Sequence, residues 1–404
     1  MKKSWPDQMV KLDKFVPGGQ AIGDLPDGRK VFVWGALPGE AARVHLTRSK
    51  KSYAEGIATE ILQPSPQRIA PRDDCYLSTS PWQILDWNFE LAQKTALVRE
   101  AFAQAKIELD LNNVKRSGQN QTAIQPILTD GRQFGYRGKM DYALYWDNDL
   151  DKIRLALHRR GSHQKIPIEQ SSIERPEIFA AAQNIVAELN RKNQPARRYQ
   201  SLLIRASQNG EVRAALIENG RPHPNLPPLH DRVLGRDFAY SPLGFFQINL
   251  PVYEMALTEI SKFIKSKKVV DLYAGVGTIG LSVAADRDLV LVESDPRAFD
   301  ELSQNAKPFS SARAILAKSE NALEFITPDA GIIVDPPRAG LDRKVVEKLN
   351  TARPPRVIYL SCNPTTQARD VAGMLENYRI ILCQPLNFFP RTPHIENLIV
   401  LEKR

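Results

Sequence analysis

Three kinds of side chain in this chain of 404 residues could do chemistry together: a cysteine, a few acids and a glycine-rich turn. Cys362 ends the apolar run Val357-Ile-Tyr-Leu-Ser361, which reads as a buried strand. Asn363-Pro364 breaks that run, and an amphipathic stretch from Thr366 to Leu375 reads as a helix. Pro in the first helical turn and Asn as its cap suit the junction. The spacing predicts Cys362 at a strand's carboxyl end, just before a helix amino terminus. Crevices of α/β sheets open at that edge, and the helix dipole there favours the nucleophilic thiolate. Taken alone, Cys362 reads equally well as a small buried apolar residue.

Asp271-Leu-Tyr-Ala-Gly-Val-Gly-Thr-Ile-Gly follows a second apolar run and opens another helix. Gly275 and Gly277 let the backbone turn tightly and come close to a ligand. Glu293 falls at the end of the next predicted strand, where an acid can hold ribose hydroxyls. The pattern suits any adenosine-containing cofactor. Gly275, Gly277 and Gly280 also satisfy the dinucleotide spacing, so a nicotinamide cofactor stays open at this point. Asp335-Pro-Pro is a rigid turn that aims its acid over the same sheet edge. Glu396, in Thr392-Pro-His-Ile-Glu-Asn, can serve as a general base if burial raises its pKa. His394 has no partner at ligand spacing and reads as a loop residue, and no metal site is expected.

The elements that must position these residues divide the chain in three. Short alternating runs between about Met9 and Leu62, punctuated by Gly18-Gly19, Pro26-Asp27-Gly28 and Pro38-Gly39, predict a small OB-like β-barrel over residues 6–66. Its turn with Arg48, Lys50, Lys51 and Tyr53 suits a nucleic-acid face, and equally a solvated hairpin tip. After the Pro-rich stretch from Gln63, a helix is expected from Trp82 to Gln104. A largely antiparallel, locally basic α+β domain then fills the rest of 67–245, with part of 83–120 able to pack on the third domain. Residues 246–404 alternate strands and helices, which argues a mainly parallel, doubly wound α/β sheet of Rossmann-like form.

The net charge of +9 points toward a polyanion, nucleic acid first. Three cysteines, Cys75, Cys362 and Cys383, make no disulfide framework or zinc pattern, so a reducing cytoplasm is expected. Met1-Lys-Lys-Ser-Trp-Pro lacks the apolar core of a signal peptide, and no apolar run could cross a bilayer. No membrane association and no obligate protein partner are inferred.

Together the residues resemble the RNA (uracil-C5) methyltransferases, which make 5-methyluridine in bacterial 23S ribosomal RNA and in tRNA. The likeness rests on Phe245-Phe-Gln-Ile-Asn249, Asp271-Leu-Tyr-Ala-Gly-Val-Gly, Asp335-Pro-Pro-Arg-Ala-Gly-Leu, Ser361-Cys-Asn-Pro-Thr-Thr-Gln-Ala-Arg-Asp370 and Pro393-His-Ile-Glu396. Gly18-Gly19 and Leu37-Pro-Gly-Glu40 resemble the TRAM barrel of many members. The resemblance implies an S-adenosylmethionine cofactor and an RNA substrate. It implies that Gln247, Tyr273, Thr278, Glu293, Asn321 and Asp335 line the cofactor and uracil pocket, with Cys362 as nucleophile and Glu396 as base. Thr278 departs from the Asn that some members carry. The TRAM-like barrel favours 23S ribosomal RNA over tRNA.

Many relatives carry a four-cysteine iron–sulfur site near Cys75. Here Pro81 and Ile84 stand where the next two thiolates would be, and Gln170-Ser-Ser-Ile lies near the place of the fourth. A cluster needs four such ligands, so none is expected. Two other classes of function compete. One is a non-catalytic RNA-binding factor on the same scaffold, against which Cys362, Glu396 and the glycine turn all speak. The other is methylation of an exocyclic amine, which needs no cysteine and usually has an aromatic residue where Arg338 follows Asp-Pro-Pro.

Overall fold

The amino-terminal alternation closes into a barrel. The computed structural model describes residues 5–110 and 122–404. Residues 1–4, at the start read for a signal peptide, and 111–121, overlapping the stretch expected to pack on the third domain, lie outside the described residues. Strands Gln8–Phe15, Ala21–Asp24, Lys30–Trp34, Ala41–Ser49 and Tyr53–Gln63 pair in the spatial order first, second, third, fifth, fourth. Val10, Leu12, Val31, Val33, Ala42 and Val44 fill the interior, every second residue along their strands. Closure leaves no exposed sheet edge.

The Pro-rich stretch is not a free linker. Arg68 donates to the buried Glu40 of the barrel at 2.6 and 2.7 Å, and Trp82, Ile84 and Leu85 plug the barrel core. The helix expected from Trp82 therefore starts later, at Trp87, and ends at Gln104. Asp86 stops it from starting earlier, because its carboxylate caps the amides of Asn88 and Phe89. Val98 and Phe102 of this helix, with Ile107 and Leu109, join the core of the carboxyl-terminal sheet.

A six-stranded antiparallel sheet forms the middle of the molecule, in the order Lys165–Pro167, Lys152–His158, Lys139–Asp147, Ser201–Ala206, Val212–Glu218, Arg221–His223. Helix Pro176–Arg191 covers it with Ile178, Ala182, Val186 and Leu189. The hairpin of Leu229–Val233 and Arg236–Tyr240 precedes the expected boundary at 245. Its Leu229, Val233, Phe238 and Tyr240 nevertheless pack in the core of the carboxyl-terminal sheet.

That sheet has seven strands, in the order Ala312–Leu316, Asp288–Glu293, Lys268–Leu272, Ala330–Val334, Arg356–Ser361, Glu396–Lys403, Tyr378–Leu386. The first five run parallel; Ala312–Leu316 is a partly exposed edge, whereas the apolar middles of the other four are buried, as strands covered on both faces must be. Glu396–Lys403 runs antiparallel to Arg356–Ser361, with Ser361 opposite Asn397. Its beginning thus lies at the edge where the parallel strands end. Among the described residues no helix is long and apolar enough to cross a membrane.

Candidate active site

Sheet order arranges the chemistry along one edge. Asn321, in the turn Ser319–Asn321, follows the first strand, Glu293 ends the second and Tyr273 follows the third. Asp335 follows the fourth, Cys362 follows the fifth, and Glu396 begins the sixth. Neighbouring strands lie about 4.8 Å apart, so Glu293 and Cys362 sit on strands separated by about 14 Å. A nucleoside with a flat ring beside it spans such a distance.

The glycine turn is built from its own side-chain acceptors. Gly277 has φ +89° and ends the turn, and Thr278 opens the helix Thr278–Ala284. Asp271 is fully buried and accepts the Gly280 amide at 2.8 Å through Oδ2, whereas its Oδ1 has no partner. Burial pushes the Asp271 carboxyl up to about 8. Glu293 accepts the Gly275 amide at 2.8 Å and those of Ser294 and Asp295 at 2.6 and 2.7 Å. Nothing lies within 4 Å of where a Cβ of Gly275 would be. An adenosine-containing cofactor fits this donor set: open space over Gly275, a free buried oxygen on Asp271 and an oriented acid on the next strand. Gly280 is different, since a Cβ there would sit 2.7 Å from Leu291 Cδ2 and 2.8 Å from Asp271 Oδ2. Gly280→Ala is therefore expected to lower the melting temperature, with an overpacking cost of about 1–3 kcal/mol exceeding the ordinary helical gain of about 1 kcal/mol. Calorimetric melting at or above the parent's temperature would show that the neighbours give way.

The loop Asp335–Leu341 and the helix Pro364–Ala372 are interlocked. Asn363 Nδ2 and Thr366 Oγ1 donate to the carbonyl of Arg338 at 2.9 and 3.1 Å, and Arg369 donates to that of Ala339 at 2.9 Å. Asp370 accepts the Leu341 amide at 2.8 Å and the Tyr359 hydroxyl at 2.9 Å. Buried Gln367 exchanges hydrogen bonds with Asn397, which ties the helix after Cys362 to the strand of Glu396. Cys362 and Glu396 are thereby held on adjacent strand ends by side chains rather than by the sheet alone.

Cys362 is half-buried and opens into a cleft lined by Arg338, Thr365, Pro393 and His394, and by Pro17 and Gly18 of the barrel. Burial and the neighbouring carboxylates of Glu396 and Asp335 push its thiol up to about 11, with Arg338 pulling the other way. Burial and these carboxylates thus outweigh any help that the helix amino terminus gives the thiolate. The Asn363 side chain takes the Thr365 amide at 3.2 Å, and the Asn363 amide donates to Ser361 Oγ at 3.1 Å. Those donors are spent before they reach sulfur. Glu396 is 5% exposed, and burial followed by the Asp335 charge raises its carboxyl well above the carboxylate range. Burial likewise raises Asp335 to about 7.

Gln247 stands apart from this row. It precedes the helix Leu250–Ser261 and lines a second cleft with Arg132, Arg175, Arg205, Asp231 and Tyr240. Cys75 is buried in the middle domain, where its sulfur lies 3.6 Å from the carbonyl of Gln170. With Pro81 and Ile84 beside a single thiol, the donor set does not fit an iron–sulfur cluster. Among the described residues no group of three His, Cys, Asp or Glu could hold a metal ion.

Sequence reasoning missed the buried pair Glu90 and Lys94 behind the site. Its signal was present: the two charges are spaced i, i+4 on the same helix face as Leu97, Val98 and Ala101. The barrel's share of the Cys362 cleft had no such signal.

Comparison with known proteins sets this geometry among relatives. Residues 317–404 match the tRNA (Uracil-5-)-methyltransferase family model, and residues 8–59 match that of the TRAM domain. An uncharacterized RNA methyltransferase of Gloeobacter violaceus is 28% identical over 454 residues, covering 98% of this chain and 96% of that protein. One from Thermosynechococcus vestitus is also 28% identical, over 97% of both chains. In fold, the chain resembles the Pyrococcus abyssi tRNA (uracil-54, C5)-methyltransferase solved with S-adenosyl-L-homocysteine. The TM-score is 0.74 at 20% identity, covering 97% of this chain and 99% of that one.

Proposed function

From the premise that the chain belongs to the RNA (uracil-5-)-methyltransferases, which are S-adenosylmethionine-dependent enzymes, we propose that it methylates C5 of a specific uridine in structured RNA through a covalent Cys362 adduct. The observation that carries this reading is the placing of Cys362 and Glu396 on adjacent strand ends, with Ser361 paired to Asn397. Tyr273, Thr278, Glu293, Asn321 and Asp335 would hold S-adenosylmethionine and the uracil ring from the neighbouring strand ends. Gln247, carried over by resemblance, would approach from the turn before the helix Leu250–Ser261. When bound, the cofactor supplies an electrophilic methyl group for C5.

The residues do the rest. Uracil C5 is a weak nucleophile. When Cys362 loses its proton to a nearby carboxylate, the sulfur lone pair forms a bond to C6. The C5–C6 π electrons then move into the C4–O4 enolate, and C5 becomes electron-rich. After C5 carries its methyl group, Glu396 takes the C5 proton. That C–H electron pair restores the double bond and expels the Cys362 thiolate. The uridine must leave its stack to reach this cleft. The barrel, the middle domain and the excess of Lys and Arg would hold the RNA backbone, and no step needs an iron–sulfur cluster.

The enzyme with RNA containing 5-fluorouridine and S-adenosylmethionine is expected to give a denaturation-resistant protein–RNA adduct, because fluorine at C5 blocks the last elimination. Methylation without any adduct would remove the mechanism. We favour 23S ribosomal RNA as substrate, following the TRAM domain. The family model's description as a tRNA methyltransferase supports tRNA as the second reading. Mapping 5-methyluridine in total RNA from cells with and without the protein separates the two.

A further inference from the structure

We propose that Lys94, paired with Glu90 on the helix Trp87–Gln104, is a positioning residue for Glu396 that acts by clamping the loop of residues 387–395 in front of it. The inference rests on Glu396 being the base that takes the C5 proton. The loop has no regular structure of its own. Four successive carbonyls are instead held by groups from distant parts of the chain. Asn249 Nδ2 donates to Phe388 O at 3.1 Å, Lys94 Nζ to Phe389 O at 2.9 Å, Tyr136 Oη to Pro390 O at 2.9 Å and the Trp82 amide to Arg391 O at 3.0 Å.

Lys94 is the centre of this clamp. It is fully buried, as is Glu90, whose Oε1 lies 3.0 Å from Nζ. Nζ also donates to Asn387 Oδ1 at 2.6 Å. An ammonium has three protons, and three acceptors meet them here. Glu90 Oε1 in turn accepts the Arg391 amide at 2.9 Å, so one ion pair grips both ends of the loop's middle. For stability alone, apolar residues at both 90 and 94 would serve as well or better, since burying an ion pair costs most of what its attraction returns. What the cation adds is direction: it fixes Asn387 and Phe389 relative to a rigid helix, a few residues ahead of the carboxylate. Pro393 is fixed further on, so tightly against Gly19 of the barrel that a Cβ on that glycine would overlap it at 2.0 Å.

A loosened Glu396 should impair proton removal and spare the earlier thiol addition, so the clamp has its own signature. In the full-length enzyme, Lys94→Met is expected to form the 5-fluorouridine adduct at a rate within about threefold of the parent. On ordinary uridine RNA, turnover should fall on the order of 100-fold, the size associated with small misplacements of a reacting group. A denaturation-resistant protein–RNA adduct carrying radiolabelled methyl should accumulate at the same time. Asn387→Ala breaks the clamp from the other side and carries the same test if Lys94→Met does not fold. Turnover that is unchanged, or that falls together with fluorouridine adduct formation and without a methylated adduct, would overturn the assignment. Glu396→Gln runs alongside. If it traps no methylated adduct, the reading of Glu396 itself fails, and the role of Lys94 falls with it. If it traps one and neither clamp variant does, only the clamp is wrong.

Discussion

Cys362→Ala is expected to lose methyl transfer by at least about 10⁴-fold, the scale on which removing a covalent nucleophile acts. No other sulfur can replace it. Cys383 is fully buried in the seven-stranded sheet, and Cys75 lies in the core of the middle domain. Because residue 362 is half-buried and faces a cleft, removing its sulfur should move the melting temperature little, and cofactor binding should persist. The fluorouridine adduct should vanish completely. Measured by transfer of radiolabelled methyl to RNA, a loss below about tenfold would mean that C5 is activated without covalent addition, whatever the fold suggests.

Glu396→Gln should separate the two halves of the reaction. Addition and methylation need no base at C5, so one methyl group per enzyme should still reach the RNA. Release needs the carboxylate, and general-base removal typically costs about 10²–10⁴-fold. Turnover should fall by that amount, and a methylated protein–RNA adduct should survive denaturation. The pH dependence of the parent enzyme follows from the same site. In the proposed mechanism Cys362 and Glu396 both act deprotonated, and burial together with neighbouring acids raises both. Turnover should therefore still climb with pH across neutrality, where an ordinary exposed carboxylate would already have levelled off. A flat profile from mildly acidic pH upward would contradict the raised pair.

How much of this was legible in the sequence depends on range. The strand ending at Ser361, the Asn363 cap, the glycine turn and the Asp335 turn are local patterns, and each appears where its residues predict. The row of acids along one edge also follows, because apolar strands and intervening helices leave little choice of topology. The start of the helix Trp87–Gln104 was misread because Trp82 and Leu85 have helical spacing with Phe89, yet they serve the barrel core. The thiol's electrostatics are not legible from the helix start alone, because burial and the carboxylates of Glu396 and Asp335, brought in from other strand ends, raise it. Lys94 lies 293 residues from its acceptor Asn387, and no periodicity reaches that far. The barrel's place at the Cys362 cleft is of the same kind, since it depends on how separate folding units dock.

A sulfur held protonated at rest has one more consequence. Peroxide and electrophilic alkylating agents attack thiolates, and redox-sensing cysteines are those with depressed pKa values. With its thiol pushed up to about 11, Cys362 would be a slow target for sulfenic acid formation while the cleft is empty. On the proposed mechanism its nucleophilicity is drawn out only by the uracil ring, so peroxide treatment of the enzyme without RNA is expected to spare methyl transfer.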